Sequence, residues 1–194
     1  MSRQKSSNPR FVFEVLEDDA TEVQVTEIVD LVQSAYRGDA SRQGWTTEAD
    51  LLEGQRVNAA MVQEVLDRDA SLILTVRLGE RLVGCCELSH QPRSESAYLG
   101  MFAVSPELQA AGIGRMILDE SERIATTRWT ARQMAITVID ARQDLIAWYE
   151  RRGYVRTGET GEFPYGDERF GIPLRDDLVF ASLEKSVSVE DSAG

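Results

Sequence analysis

Apolar residues along this chain recur at two spacings, every second position and every third to fourth, and the switches between them outline its elements. Phe11, Val12, Phe13, Val15 and Leu16 form a strand-like opening run. Val25, Ile28, Val29, Val32, Ala35 and Tyr36 then follow at helical spacing behind Thr21, whose hydroxyl suits a helix start. Residues 37–55 lose the period and carry Gly38, Gly44 and Gly54, which predicts a loop and a short helix begun at Thr47-Glu-Ala-Asp50. Another helix is predicted over 58–67. The runs 71–77 and 82–88, parted by Gly79-Glu80, read as a β-hairpin.

From Tyr98 to Val104 the chain is apolar on both alternating faces, as expected of a central strand covered on two sides. Ser105-Pro106 ends it, and a loop holding Gly112 and Gly114 leads into a helix marked by Ile113, Met116, Ile117, Ile124 and Ala125. Ala135 to Ile139 is a second buried strand. Leu145, Trp148 and Tyr149 stripe the next helix, Gly153 closes it, and two strands near 154–162 and 177–185 finish the pattern. Residues 1–10 and 187–194 lack periodicity and are expected to fray, leaving one domain over 11–186.

Composition narrows the partners. The chain has 194 residues, enough for one well-buried domain, and its 42% hydrophobic and 28% charged content is that of a globular protein. A net charge of −12 opposes a grip on nucleic acid, which needs a basic face. Cys85 and Cys86 are neighbours and too close for an unstrained disulfide, and with His90 as the one histidine no zinc set of Cys and His ligands can be assembled. The polar start and the lack of a long apolar run predict a cytoplasmic protein without a membrane partner.

Candidate chemistry centres on Gln109-Ala-Ala-Gly-Ile-Gly114. A buried strand, a glycine-bearing loop and a helix start bring together main-chain N–H groups without internal partners, and the helix dipole favours an anion there. This lets an acidic protein hold a polyanion through backbone dipoles, with Arg115 in the first turn adding charge. Glycines at this place also serve turns and packing. The sequence lacks the lysine and Ser/Thr of a P-loop and the Gly-x-Gly-x-x-Gly spacing of a dinucleotide site.

The setting resembles the GNAT superfamily, the Gcn5-related N-acetyltransferases, whose Arg/Gln-x-x-Gly-x-Gly/Ala signature is matched by Gln109, Gly112 and Gly114 after Leu99 to Pro106. A second family pattern is similar to Trp148-Tyr-Glu-Arg-Arg-Gly-Tyr154. The resemblance implies an α/β (α+β) fold with a central mixed, mostly antiparallel sheet of about seven strands and about four helices. It implies acetyl-coenzyme A as cosubstrate, and direct transfer of its acetyl group to an amine of a small molecule or peptide. It leaves room for a homodimer, and for a degenerate domain that binds coenzyme A as a sensor.

On this resemblance the cosubstrate is expected along Met101, Phe102, Ala103 and Val104 and on Gln109, Ala110, Ala111, Gly112, Ile113, Gly114 and Arg115. A strand bulge, made plausible by Gly100, would free backbone N–H groups to bind it. Tyr149 matches the family tyrosine that donates to the leaving sulfur; without the resemblance it is one more aromatic on a buried helix face. Arg142 stands where the family often has Asn, and either reaches a phosphate or an acidic substrate or is an exposed helix-start residue. Candidate bases are Glu87, His90 or a water chain. Tyr36, Arg37, Arg42, Trp45 and Arg56 form a cluster of rings and guanidinium groups suited to a carboxylate or phosphate on the acceptor, with Tyr36, Arg42 and Trp45 the expected contacts. The segment from Phe163 to Pro173 is expected to form a flap beside them.

Overall fold

A computed structural model describes residues 11–188. The terminal stretches expected to fray, apart from residues 187 and 188, lie outside the described residues. Within them the chain forms β1 (Phe11–Leu16), α1 (Glu22–Tyr36), α2 (Gly38–Ser41), β2 (Leu52–Glu53), α3 (Ala59–Leu66), β3 (Ser71–Leu78), β4 (Arg81–Gln91) and β5 (Ser96–Val104). Then come α4 (Ile113–Trp129), β6 (Gln133–Ile139), α5 (Gln143–Glu150), β7 (Val155–Glu162), β8 (Ile172–Pro173) and β9 (Val179–Ser186). Seven strands make one sheet in the order β1-β3-β4-β5-β6-β9-β7, and every neighbouring pair is antiparallel except β5 and β6. Thr21 caps α1 through a reciprocal capping box with Gln24.

One stretch departs from the predicted elements. The short helix lies at Gly38–Ser41, ahead of Thr47, and beyond Thr47 and Glu48 residues 49–51 form only a turn, with the Thr47 hydroxyl accepting from the Ala49 amide. The turn does not grow because the chain is taken at once into β2, which pairs with β8 and ties the later flap to this loop.

The sheet separates two apolar cores. Ile113, Ile117 and Ile124 of α4 and Ile146 of α5 pack on one face, and Val25, Ile28 and Val32 of α1 with Val62 and Val65 of α3 pack on the other. Val187, just after β9, is buried in the first core. Between these layers β5 carries a bulge. Glu87 faces Gly100 and Cys85 faces Ala103, so Met101 and Phe102 share the place opposite Cys86. Met101 takes the left-handed conformation with φ 46°, and Gly100 is its neighbour rather than the strained residue. Ala97 and Leu99 thus feed the first core and Met101 and Ala103 the second, while Phe102 turns to the first.

The bulge coincides with a parting of the sheet. β5 pairs with β6 only over Ser96–Leu99 against Gln133–Ile136. From Gly100 to Val104 the side of β5 toward β6 is open, and the walls of this gap are Gly100, Met101 and Phe102 on one strand and Thr137, Val138 and Ile139 on the other.

Candidate functional site

The gap joins a surface cleft of about 430 Å³. One wall is the loop before α4, where Ala110 (φ 70°) and Gly112 (φ 86°) adopt left-handed backbone conformations. Gly112 is the N-cap of α4, and no side chain caps the first turn. The first helical bond runs from the Met116 amide to the Gly112 carbonyl, so the amides of residues 113–115 precede it. Together they present a set of main-chain donors beside the cleft.

The opposite wall is α5 and its end. Trp148 meets Phe102 at 6.1 Å and Trp45 at 6.3 Å between ring centroids, and the Arg152 guanidinium lies 3.6 Å over the Trp148 ring. Arg115, Arg142, Arg151 and Arg152 all line the cleft, against Asp144 as the one acidic lining residue, so an acidic protein has a basic cleft. Burial and then the neighbouring Arg151 and Arg115 charges lower the Arg152 pKa, and its Nε is buried without a hydrogen-bond partner. Each such orphan costs about 1–3 kcal/mol.

Deeper in, Glu48 accepts from Arg37 and from Arg142, each at 2.6 Å, and all three are buried or nearly so. Burial works to raise the Glu48 carboxyl, but Arg142, Arg56 and Arg37 outweigh it and hold it below its ordinary value. The Tyr36 hydroxyl donates to the Phe102 carbonyl at 2.5 Å, satisfying one acceptor on the open strand. Burial raises the Tyr36 pKa, so the phenol keeps its proton.

Tyr149 borders both the cleft and the gap and packs edge-on against Trp148 and Tyr154. Burial pushes its phenol well above the ordinary value, keeping it a proton donor. Glu87 lies behind Gly100, where a Cβ would stand 3.1 Å from its Oε2, and its other oxygen accepts from Arg68 at 3.0 Å. Burial raises its carboxyl above the ordinary value, with Arg68 working in the opposite direction. His90 is engaged elsewhere, stacked on Trp129 at 5.7 Å.

Most of the predicted residues meet here. Phe102, Val104, Gln109, Ala110, Gly112 and Gly114 line the cleft, as do Arg115, Arg142, Tyr149, Tyr36 and Trp45. Met101 borders the inner gap. Ala103 and Ile113 turn their side chains into the cores, and Ala111 is exposed outside the lining. Arg42 does not join the site, because it is drawn outward to Asp50 at 2.6 Å. Arg142 is not the exposed helix-start residue considered above but a buried partner of Glu48. Gln109 serves the protein itself: its Oε1 accepts from the amides of Trp45 and Thr46, and its Nε2 donates to the Val104 carbonyl.

Glu48, on the inner gap, and Arg151 and Arg152, on the cleft, are not among the residues the sequence predicts for the site. The two arginines directly follow Tyr149-Glu150 at the end of the helix striped by Leu145, Trp148 and Tyr149, and that adjacency is the signal the sequence carries for them. Glu48 gave none, since an acidic residue after Thr47 reads as a helix start.

A mixed sheet that opens beside a bulged central strand, with a glycine loop and uncapped helix start at the opening, defines the fold of the Gcn5-related N-acetyltransferases. The chain belongs to the Acetyltransferase (GNAT) family, whose model matches residues 25–154. Among curated proteins no sequence matches it. Among solved structures it is similar to the ribosomal-protein-S18-alanine N-acetyltransferase from Escherichia coli, with 14% identity and a TM-score of 0.65 over 92% of this chain and 95% of that one. A chimera of the spermidine N-acetyltransferase SpeG from Vibrio cholerae and hSSAT gives 16%, 0.64, 94% and 97%. The IAA acetyltransferase from Bacillus cereus gives 15%, 0.62, 92% and 100%. At these identities the likeness shows the fold.

Proposed function

We propose that the protein is an acetyl-coenzyme A-dependent N-acetyltransferase acting on a primary amine of a small molecule or peptide, and that it works in the cytoplasm. The observation that carries this reading is the stretch Gly100–Val104, paired with β4 but open on its β6 side, beside the uncapped start of α4. Among the described residues no helix is long and apolar enough to cross a membrane.

Acetyl-coenzyme A supplies an activated acetyl thioester, and the net exchange is one C–N bond for one C–S bond, with one proton leaving nitrogen and one reaching sulfur. The α4 amides, with Arg115, Arg151 and Arg152, hold the phosphates. The Gly100–Val104 backbone binds the pantetheine arm and stabilises charge on the carbonyl oxygen. Tyr149 donates its proton toward sulfur, and Glu87 accepts the proton from the amine, directly or through water.

Thermal melting tests the cosubstrate. At about 100 times its Kd acetyl-coenzyme A should add about 2.7 kcal/mol of stability, with NAD and ATP giving less. Equal shifts from all three would overturn the assignment.

A further inference from the structure

The inner gap, a cavity of about 90 Å³, sets Arg37, Arg56 and Arg142 against Glu48 as the one carboxylate on its walls. Both Glu48 oxygens are already used, one by Arg37 and one by Arg142. Glu87, the other nearby carboxylate, is paired with Arg68 behind Gly100. The walls therefore carry an excess of positive charge in a chain of net charge −12.

Two guanidinium groups are incompletely used. Arg37 is almost wholly buried and its Nε has no hydrogen-bond partner. Arg56 forms no ion pair among the described residues and lies 5.1 Å over the Tyr36 ring, its backbone amide fixed by Gln33 Oε1 at 2.9 Å. Half-buried and held on an aromatic face, it is a planar fork of donors awaiting an acceptor. The cavity shares Tyr36, Phe102, Arg142 and Tyr149 with the main cleft, so what binds in it borders the groups of the transfer step. A low-dielectric recess with excess cations favours an anion and repels a second ammonium.

We propose that the acceptor is a small amine bearing a carboxylate, which Arg56 grips in the inner cavity while the amine faces the open backbone at Gly100–Phe102. This rests on the acetyltransferase reading above and names its substrate class. One planar fork matches the planar carboxylate, and polycationic amines are excluded by like charge.

The test uses matched pairs, such as methionine and phenylalanine with their decarboxylated amines, alongside spermidine and phosphoethanolamine. Acetyl-coenzyme A-dependent thiol release is measured for each, with calorimetric titration of the same compounds into the protein with and without coenzyme A. The carboxylate-bearing member of a pair should have the higher kcat/KM by about 10- to 100-fold, the worth of a hydrogen bond to a charged group. In Arg56→Gln that ratio should collapse toward unity, with a retained melting shift on acetyl-coenzyme A showing that the variant folds. Preference for the decarboxylated amines or spermidine, a ratio unchanged in the variant, or a stronger response to phosphoethanolamine would each overturn the proposal. So would absence of binding and turnover throughout the panel while acetyl-coenzyme A still raises Tm. Loss of the acetyl-coenzyme A response, with Arg56-dependent carboxylate binding intact, would instead fall on the earlier reading.

Discussion

At the residue scale, the sharpest contrast is between Tyr149 and the aromatics around it. Phe102, Trp148 and Tyr154 share its cluster, yet Tyr149 alone of the four combines a phenol with a position bordering both the cleft and the inner gap. Its raised pKa, caused first by burial, keeps it protonated through the neutral range. Tyr149→Phe preserves the ring packing and removes only the donor. We expect kcat to fall on the order of 100-fold with acetyl-coenzyme A affinity nearly unchanged, read by steady-state kinetics beside a calorimetric titration. An unaltered kcat would overturn its proposed role as acid.

At the element scale, the loop between α2 and β2 is held to the end of β5 by one side chain. Gln109 receives the Trp45 and Thr46 amides on one end and donates to the Val104 carbonyl on the other. Gln109→Ala removes the acceptor, and amide exchange at Trp45 and Thr46 should quicken by about tenfold or more, while the α4 core amides stay protected. Local patterning made the elements legible. The capping box of Thr21 and Gln24, the hairpin at Gly79-Glu80 and the β5–loop–α4 sequence all follow from periodicity and turn chemistry. The loop at 37–55 was not legible, because its shape depends on β8, more than 100 residues away, and on the Glu48 ion network. Gly100 makes a bulge plausible in the sequence, but the residue that takes the unusual backbone angle is Met101, anchored by burial in the second core.

At the scale of the whole molecule, Glu48 joins parts that the chain keeps far apart: Arg37 at the end of α1 and Arg142 at the start of α5. Glu48→Gln would leave two buried cations short of their counter-charge and should cost about 3–5 kcal/mol at neutral pH. Because the folded carboxyl lies below its ordinary value, this contribution is fully present above the unfolded value and is lost as pH falls through the folded one. Urea unfolding of the two proteins should thus show a constant gap at neutral pH that narrows in acid; a gap independent of pH would contradict the ionised triad. The same economy of connection governs β5. Its bulge holds one residue more than the facing stretch of β4, and the strand positions on either side already point to the correct cores. Omitting Met101 would therefore leave the pleat in phase and the layers in place, free to zip β5 against β6 along its full length. The bulge that accompanies the opening in this sheet is a single-residue insertion, so its removal would separate what the architecture needs from what the gap needs.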